Sequence, residues 1–174
     1  TSSAPGGGGG ASYAILEPTG YNTAITASAG TLTGWTETYD PDSIVQIDTG
    51  VGSGSDQFQL AAGTYIIRFS SAGFVASGSV STNSKANTGG IFFEVYDQTA
   101  TTTEHKYYQE GMNFWTGNSS YWETGSGTIY LEGKIAPTVT SNYSIKYGNS
   151  GMNKQFNAYG SPGKSFRIVI TKIA

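Results

Sequence analysis

The sequence predicts an all-β protein built as an antiparallel β-sandwich, on three observations. Apolar and polar residues alternate at the two-residue period of a strand in one short segment after another. The 174 residues hold 25 Gly, 22 Thr and 21 Ser against 12% charged residues, a balance that suits pleated surfaces and turns and interrupts helices. No segment carries a 3.6-residue apolar period, and there is no tandem repeat.

Taken in order, residues 1–10, TSSAPGGGGG, read as a flexible tether, because consecutive glycines are costly to order and bring no side chain to pack. Residues 11–174 read as one domain, within the size at which a single core suffices. Ala11 to Leu16 is a strand candidate and Thr23 to Ala27 a weaker one. Trp35 to Asp42 reads as an aromatic loop turning at Pro41, and Ile44 to Ile47 as a short strand. Phe58 to Phe69, FQLAAGTYIIRF, holds two alternating runs joined by Ala61-Ala62-Gly63, and reads as a core hairpin or a corner. Ser70 to Gly90 reads as a long loop with one edge strand near Phe74. Ile91 to Tyr96, Thr103 to Met112, Thr128 to Ile135 and Tyr143 to Tyr147 are further strands, Gly148 to Gly163 is a second long loop, and Phe166 to Ile173 closes the chain. Short strands with Gly-rich turns fit a sandwich or barrel.

Two strands are apolar on both faces. Ile91, Phe93 and Val95 alternate with Phe92 and Tyr96, and Tyr65, Ile67 and Phe69 alternate with Ile66. An antiparallel sheet usually wets one face. The second face is therefore covered, either by a loop of the same chain or by a neighbouring subunit. The residues placed at such a subunit interface are Ile66, Arg68, Phe92 and Tyr96.

Composition excludes several functions. A net charge of −3 without a basic run argues against nucleic acid. No apolar run reaches the length of a membrane-spanning helix, so no membrane insertion is expected. With no Cys and one His, neither a thiolate zinc site nor a cysteine nucleophile is available, and no cofactor or metal is expected.

The stretch Phe58-Gln59-Leu60-Ala61-Ala62-Gly63-Thr64-Tyr65-Ile66-Ile67-Arg68 resembles the C1q and tumour-necrosis-factor-like jelly rolls, and more closely the jelly-roll tip domains of phage tail fibres and virion spikes. Ile91 to Thr99 and Phe166 to Ile170 are similar to their next strand and their terminal strand. The Leu-x-x-Gly-Asp-x-Val signature of C1q domains is absent, with Leu131-Glu132-Gly133-Lys134-Ile135 in its place, which favours the viral branch. The resemblance implies a homotrimeric, non-enzymatic tip on the virion surface or in the extracellular space, with a host cell-surface glycan or protein as partner. The alternatives are a carbohydrate-binding module of a secreted microbial protein and a trimeric C1q-like or cytokine-like ligand.

Chemistry-bearing residues are few. His105 has no Gly-x-Ser-x-Gly elbow to answer it. Glu94 and Glu132 both sit in predicted strands, where a sheet could bring them together for glycoside hydrolysis or leave each on a wet face. Asp40, Asp42, Asp48 and Asp56 cluster in a loop-rich region, where they could hold calcium or cap turns. Tyr107, Tyr108, Trp115, Tyr121 and Trp122, with Asn113, Asn118, Ser119 and Glu123 among them, form the candidate ligand surface, since rings stack on sugars while polar groups bond hydroxyls. The same residues could serve as core or subunit packing.

Overall fold

The computed structural model describes residues 12–18, 29–48, 56–71, 74–77, 88–113, 125–127, 130–150, 155–157 and 166–173. Every regular element among them is a strand: β1 (Ser12–Pro18), β2 (Ala29–Thr31), β3 (Trp35–Tyr39), β4 (Val45–Asp48), β5 (Gln57–Leu60), β6 (Tyr65–Ser71) and β7 (Phe74–Ser77). The second half adds β8 (Thr88–Asp97), β9 (Thr102–Asn113), β10 (Gly125–Gly127), β11 (Tyr130–Ile135), β12 (Ser141–Ser150), β13 (Gln155–Asn157) and β14 (Phe166–Lys172).

The strands form two large antiparallel sheets. One is five-stranded in the order β11-β6-β14-β1-β3; the other is six-stranded, running β4-β5-β12-β8-β9 with β2 also paired to β12. A small third sheet places β7 between β10 and β13. The terminal strand β14 lies at the centre of the five-stranded sheet, flanked by β6 and β1.

Alternation decides which side chains meet between the sheets. Tyr65, Ile67 and Phe69 of β6, with Phe166, Ile168 and Ile170 of β14, are buried against Phe58 and Leu60 of β5, Phe93 and Val95 of β8, and Tyr143 and Ile145 of β12. Phe69 is central: its ring lies 5.7 Å from Phe166 in its own sheet and 5.4 Å from Phe93 in the other. Aromatic contacts of this kind add to simple area burial.

The structure decides one alternative, in favour of the corner at Ala61-Ala62-Gly63, and corrects two expectations. The two runs of Phe58 to Phe69 are not a hairpin, because β5 belongs to the six-stranded sheet and β6 to the five-stranded one. Residues 61–64 are the corner between sheets, held where Gly63 N donates to Pro137 O at 3.0 Å and Ile173 N to Thr64 O at 2.9 Å. Trp35–Tyr39 is a strand rather than a loop; its register with β1 shifts between Ile15 and Leu16, which hides the alternation. The stretch from Gly148 to Gly163 contains the end of β12 and all of β13. The Thr23 to Ala27 candidate lies outside the described residues.

The two ends of the sandwich differ. Short turns at 40–44, 61–64, 98–101 and 136–140 all sit at one end, where Ser12 pairs with Lys172 and Lys172 with Tyr65. Asp40 and Asp97 organise two of these turns: the Asp40 carboxylate accepts the amides of Ile44 and Val45 at 3.0 and 2.9 Å, and Asp97 Oδ1 accepts those of Thr99 and Ala100, each at 2.8 Å. Ser43 and Thr101, at φ 51 and 57, take the left-handed backbone that such tight turns require. The longer connections, 19–28, 49–56, 72–87, 114–129 and 151–165, join strand ends at the opposite end, and three of them supply β7, β10 and β13.

Candidate functional site

Each large sheet turns one face inward and one outward. On the five-stranded sheet, register aligns Glu132, Arg68, Val169, Ile15 and Tyr39 in a row across all five strands. Glu132 accepts hydrogen bonds from Arg68 Nε and, at 2.6 Å, from the Tyr130 hydroxyl. These two bonds, Tyr130's first, hold the Glu132 carboxyl below the usual glutamate range. The same contacts raise the pKa of Arg68 and of Tyr130. A second ion pair joins Arg167 Nη2 to Glu17 Oε1 at 2.6 Å. The half-buried Val169 and Ile15 share the row of Arg68, and the half-buried Ile66 lies in the next outward row, on the side away from the Arg167–Glu17 pair. Tyr13 and Tyr39 stack 4.7 Å apart at one margin, 41% and 42% exposed, and Tyr130 is 56% exposed at the other. The hydroxyl of Tyr39 is hydrogen-bonded to Tyr13, which raises its pKa.

The outward face of the six-stranded sheet is chemically different. Phe92, Glu94 and Tyr96 of β8 alternate with the buried Phe93 and Val95. Glu94 is paired in register with Lys146 on one side and Lys106 on the other. Lys106 Nζ lies 3.6 Å from Glu94 Oε2 and 3.8 Å from the centroid of Phe92, and Lys146 Nζ lies 2.9 Å from the centroid of Tyr96. The Phe92 ring lies down over Gly148, where an added Cβ would come within 2.3 Å of its Cζ. Toward β4, Gln46, Gln59 and Asn142 share one row, and Gln59 Nε2 donates to Asn142 Oδ1 at 3.0 Å. Next to it, Gln98 Nε2 donates to the buried Ser144 Oγ at 2.7 Å.

The sequence-derived sites can now be placed. Ile66 and Arg68 stand on one outward face and Phe92 and Tyr96 on the other, so the two pairs look in opposite directions. Two opposed patches that bind each other generate an open stack rather than a closed ring. Tyr107 is half-buried and packs against the core. Tyr108 stands in register opposite Phe92, and Trp115, Tyr121 and Trp122 lie outside the described residues, on the connection that leaves β9 at Asn113.

The weighed chemistries are not assembled. Glu94 and Glu132 face outward from different sheets and cannot share a substrate atom. Asp40 spends both carboxylate oxygens on backbone amides, and the described residues contain no group of three or more metal-ligating side chains. His105 has a role that sequence reading missed. Its ring lies over Gly133, where a Cβ would be within 2.1 Å of the imidazole, and its Nε2 is 2.8 Å from the Lys134 carbonyl. It thereby fastens β9 to β11, the edges of the two sheets. The missing side chain of Gly133 was the available signal, but nothing in the sequence pointed it at His105.

No known family model matches the sequence, and no curated protein matches it. Solved structures do. The Eiger TNF of S. frugiperda aligns with a TM-score of 0.59 at 10% identity, over 94% of this chain and 93% of that one. Murine APRIL aligns with a TM-score of 0.49 at 12% identity, over 94% and 100%. The fold is thus a TNF-like jelly roll of two antiparallel sheets, and at these identities the likeness concerns the fold alone.

Proposed function

We propose that this chain is a non-enzymatic, self-associating tip domain of a viral or phage spike, tail fibre or capsid decoration. The observation that carries the reading is the difference between its two ends. β1 begins at Ser12, at the end that holds the short turns and beside the terminal strand, and the longer connections join strands at the other end. A domain attached at one end and presenting variable-length connections at the other is built to be displayed, since connections tolerate change that strands do not. Trp115, Tyr121 and Trp122 lie on one of those connections and are proposed, with Tyr107 and Tyr108, to contribute to host contact.

Self-association, as a homotrimer, is assigned to the outward face of the five-stranded sheet. Ile66, Val169 and Ile15, framed by exposed tyrosines and arginines, have the aromatic and arginine-rich character of interface cores. Sedimentation at micromolar concentration should show a trimer. Arg68→Glu should weaken it more than about tenfold, because like charges placed across a contact repel. Since Arg68 already bridges Glu132 within the chain, the swapped pair Arg68→Glu with Glu132→Arg separates the two effects. It keeps the internal bridge, so loss of trimer in the swap reads the intersubunit contact. A monomer at all concentrations would remove the assembly, and antibodies to the domain that fail to label intact particles would remove the virion assignment.

A further inference from the structure

We propose that the outward face of the six-stranded sheet binds an acidic glycan. In this site Gln46, Gln59 and Gln98 take sugar hydroxyls, Lys106 and Lys146 take the acid groups, and Phe92 and Tyr96 form the floor. The proposal deepens the display reading above by naming a ligand class, on a face that the reading leaves outside the trimer.

Charge selects the occupant. In a chain of net charge −3, the outward-facing charged side chains described on β8, β9 and β12 are Lys106, Lys146 and Glu94. The carboxylate of Glu94 is only 12% exposed, whereas Lys106 is 45% exposed, so the surface shown to a ligand is cationic. Glu104 sits in the bulge of β9, where it accepts a hydrogen bond from Thr102 Oγ1, at the edge of the sheet rather than between the lysines.

The floor is flat because its neighbours are small. Phe92 lies over Gly148, and Tyr96 is in register with the buried Ser144, so neither ring is pushed upright. The lysine ammonium groups rest on these rings, and a cation on an exposed ring is held weakly. A sugar acid can draw each ammonium aside and open the ring face to the C–H side of the pyranose. The amides are oriented beforehand by the Gln59–Asn142 and Gln98–Ser144 hydrogen bonds, which lowers the entropy cost of using them. Three strand spacings separate Gln59 on β5 from Lys106 on β9, a span on the order of 14 Å, so the site fits several sugars rather than one.

Affinity electrophoresis and calorimetry would test this with polygalacturonate and polysialic acid as probes, and dextran and polyglutamate as neutral and non-sugar controls. At least one acid-sugar polymer should bind, losing tenfold or more in Lys106→Gln with Lys146→Gln and several-fold in Gln59→Ala, while both controls bind far less. Circular dichroism and sedimentation on the same samples keep folding and assembly in view. Polyglutamate binding as well as the sugars, undiminished binding by the lysine double variant, or no binding by either sugar polymer overturns the site. If binding fails while the trimer persists, this site falls and the display reading stands; if binding persists in a monomer, the reverse holds.

Discussion

The two outward faces of this sandwich solve the same problem in different ways. Both carry apolar residues on the side of a strand turned from the core. On the six-stranded sheet, Phe92 and Tyr96 are covered by the chain's own lysines, whose ammonium groups lie over the ring faces. On the five-stranded sheet, the arginines turn sideways to Glu132 and Glu17, beside the half-buried Ile66, Val169 and Ile15. Apolar alternation on both sides of a strand is therefore not one signal. Its meaning depends on whether the neighbouring strand offers a long side chain that lies across it.

The largest expected effect would destroy the contrast altogether. Phe69→Ala removes a fully buried ring that supports both sheets and should cost about 3–5 kcal/mol, read as a lowered urea midpoint. Next comes the seam. Gly133→Ala drives a methyl group into the His105 ring and should cost about 1–3 kcal/mol. Adding His105→Ala should return part of that loss, and no recovery would mean that the clash lies elsewhere.

Alkaline pH tests the interior that the faces share. Burial raises the pKa of Tyr143, with Asp97 and Glu104 adding to it, and burial also raises those of Tyr65 and Tyr147. Their folded pKa values exceed the unfolded one, so the stability they contribute is full below the ordinary tyrosine value, near 10, and is lost as pH rises beyond it. Urea midpoints should fall steeply above that pH, and less steeply in Tyr143→Phe. The smallest effect belongs to one face alone. Because the pKa of Glu132 is depressed, its contribution is present above the ordinary glutamate value and fades as pH falls through the folded one. Glu132→Gln should slightly flatten the acid limb of the stability curve, and an unchanged limb would show that this exposed cluster contributes nothing measurable.

The fold class and most strands were legible because alternation is a local property. Tyr65, Ile67 and Phe69, like Phe166, Ile168 and Ile170, recur at the two-residue period, and both runs are interior strands of their sheet. What was not legible depended on partners far away in sequence. The sheet to which β5 belongs is set by Asn142 and Tyr143, more than eighty residues later, and β3 was obscured by a bulge in its pairing with β1. The candidate sites fared less evenly. Ile66 and Arg68 stand on one outward face, Phe92 and Tyr96 stand on the opposite one, and the amide row emerged only from the register of three strands.

The pairing of β1 with β14 has a mechanical side. Their ladder runs antiparallel from Ser12 opposite Lys172, so a pull applied between the two chain ends meets the rungs one at a time and peels them. A pull between Ser12 and the far end of the sandwich runs along β1 instead, and the rungs to β14 and β3 then bear the load together. Shear along β1 is thus the stronger direction of loading for this pairing, and a pull between the two chain ends the weaker one.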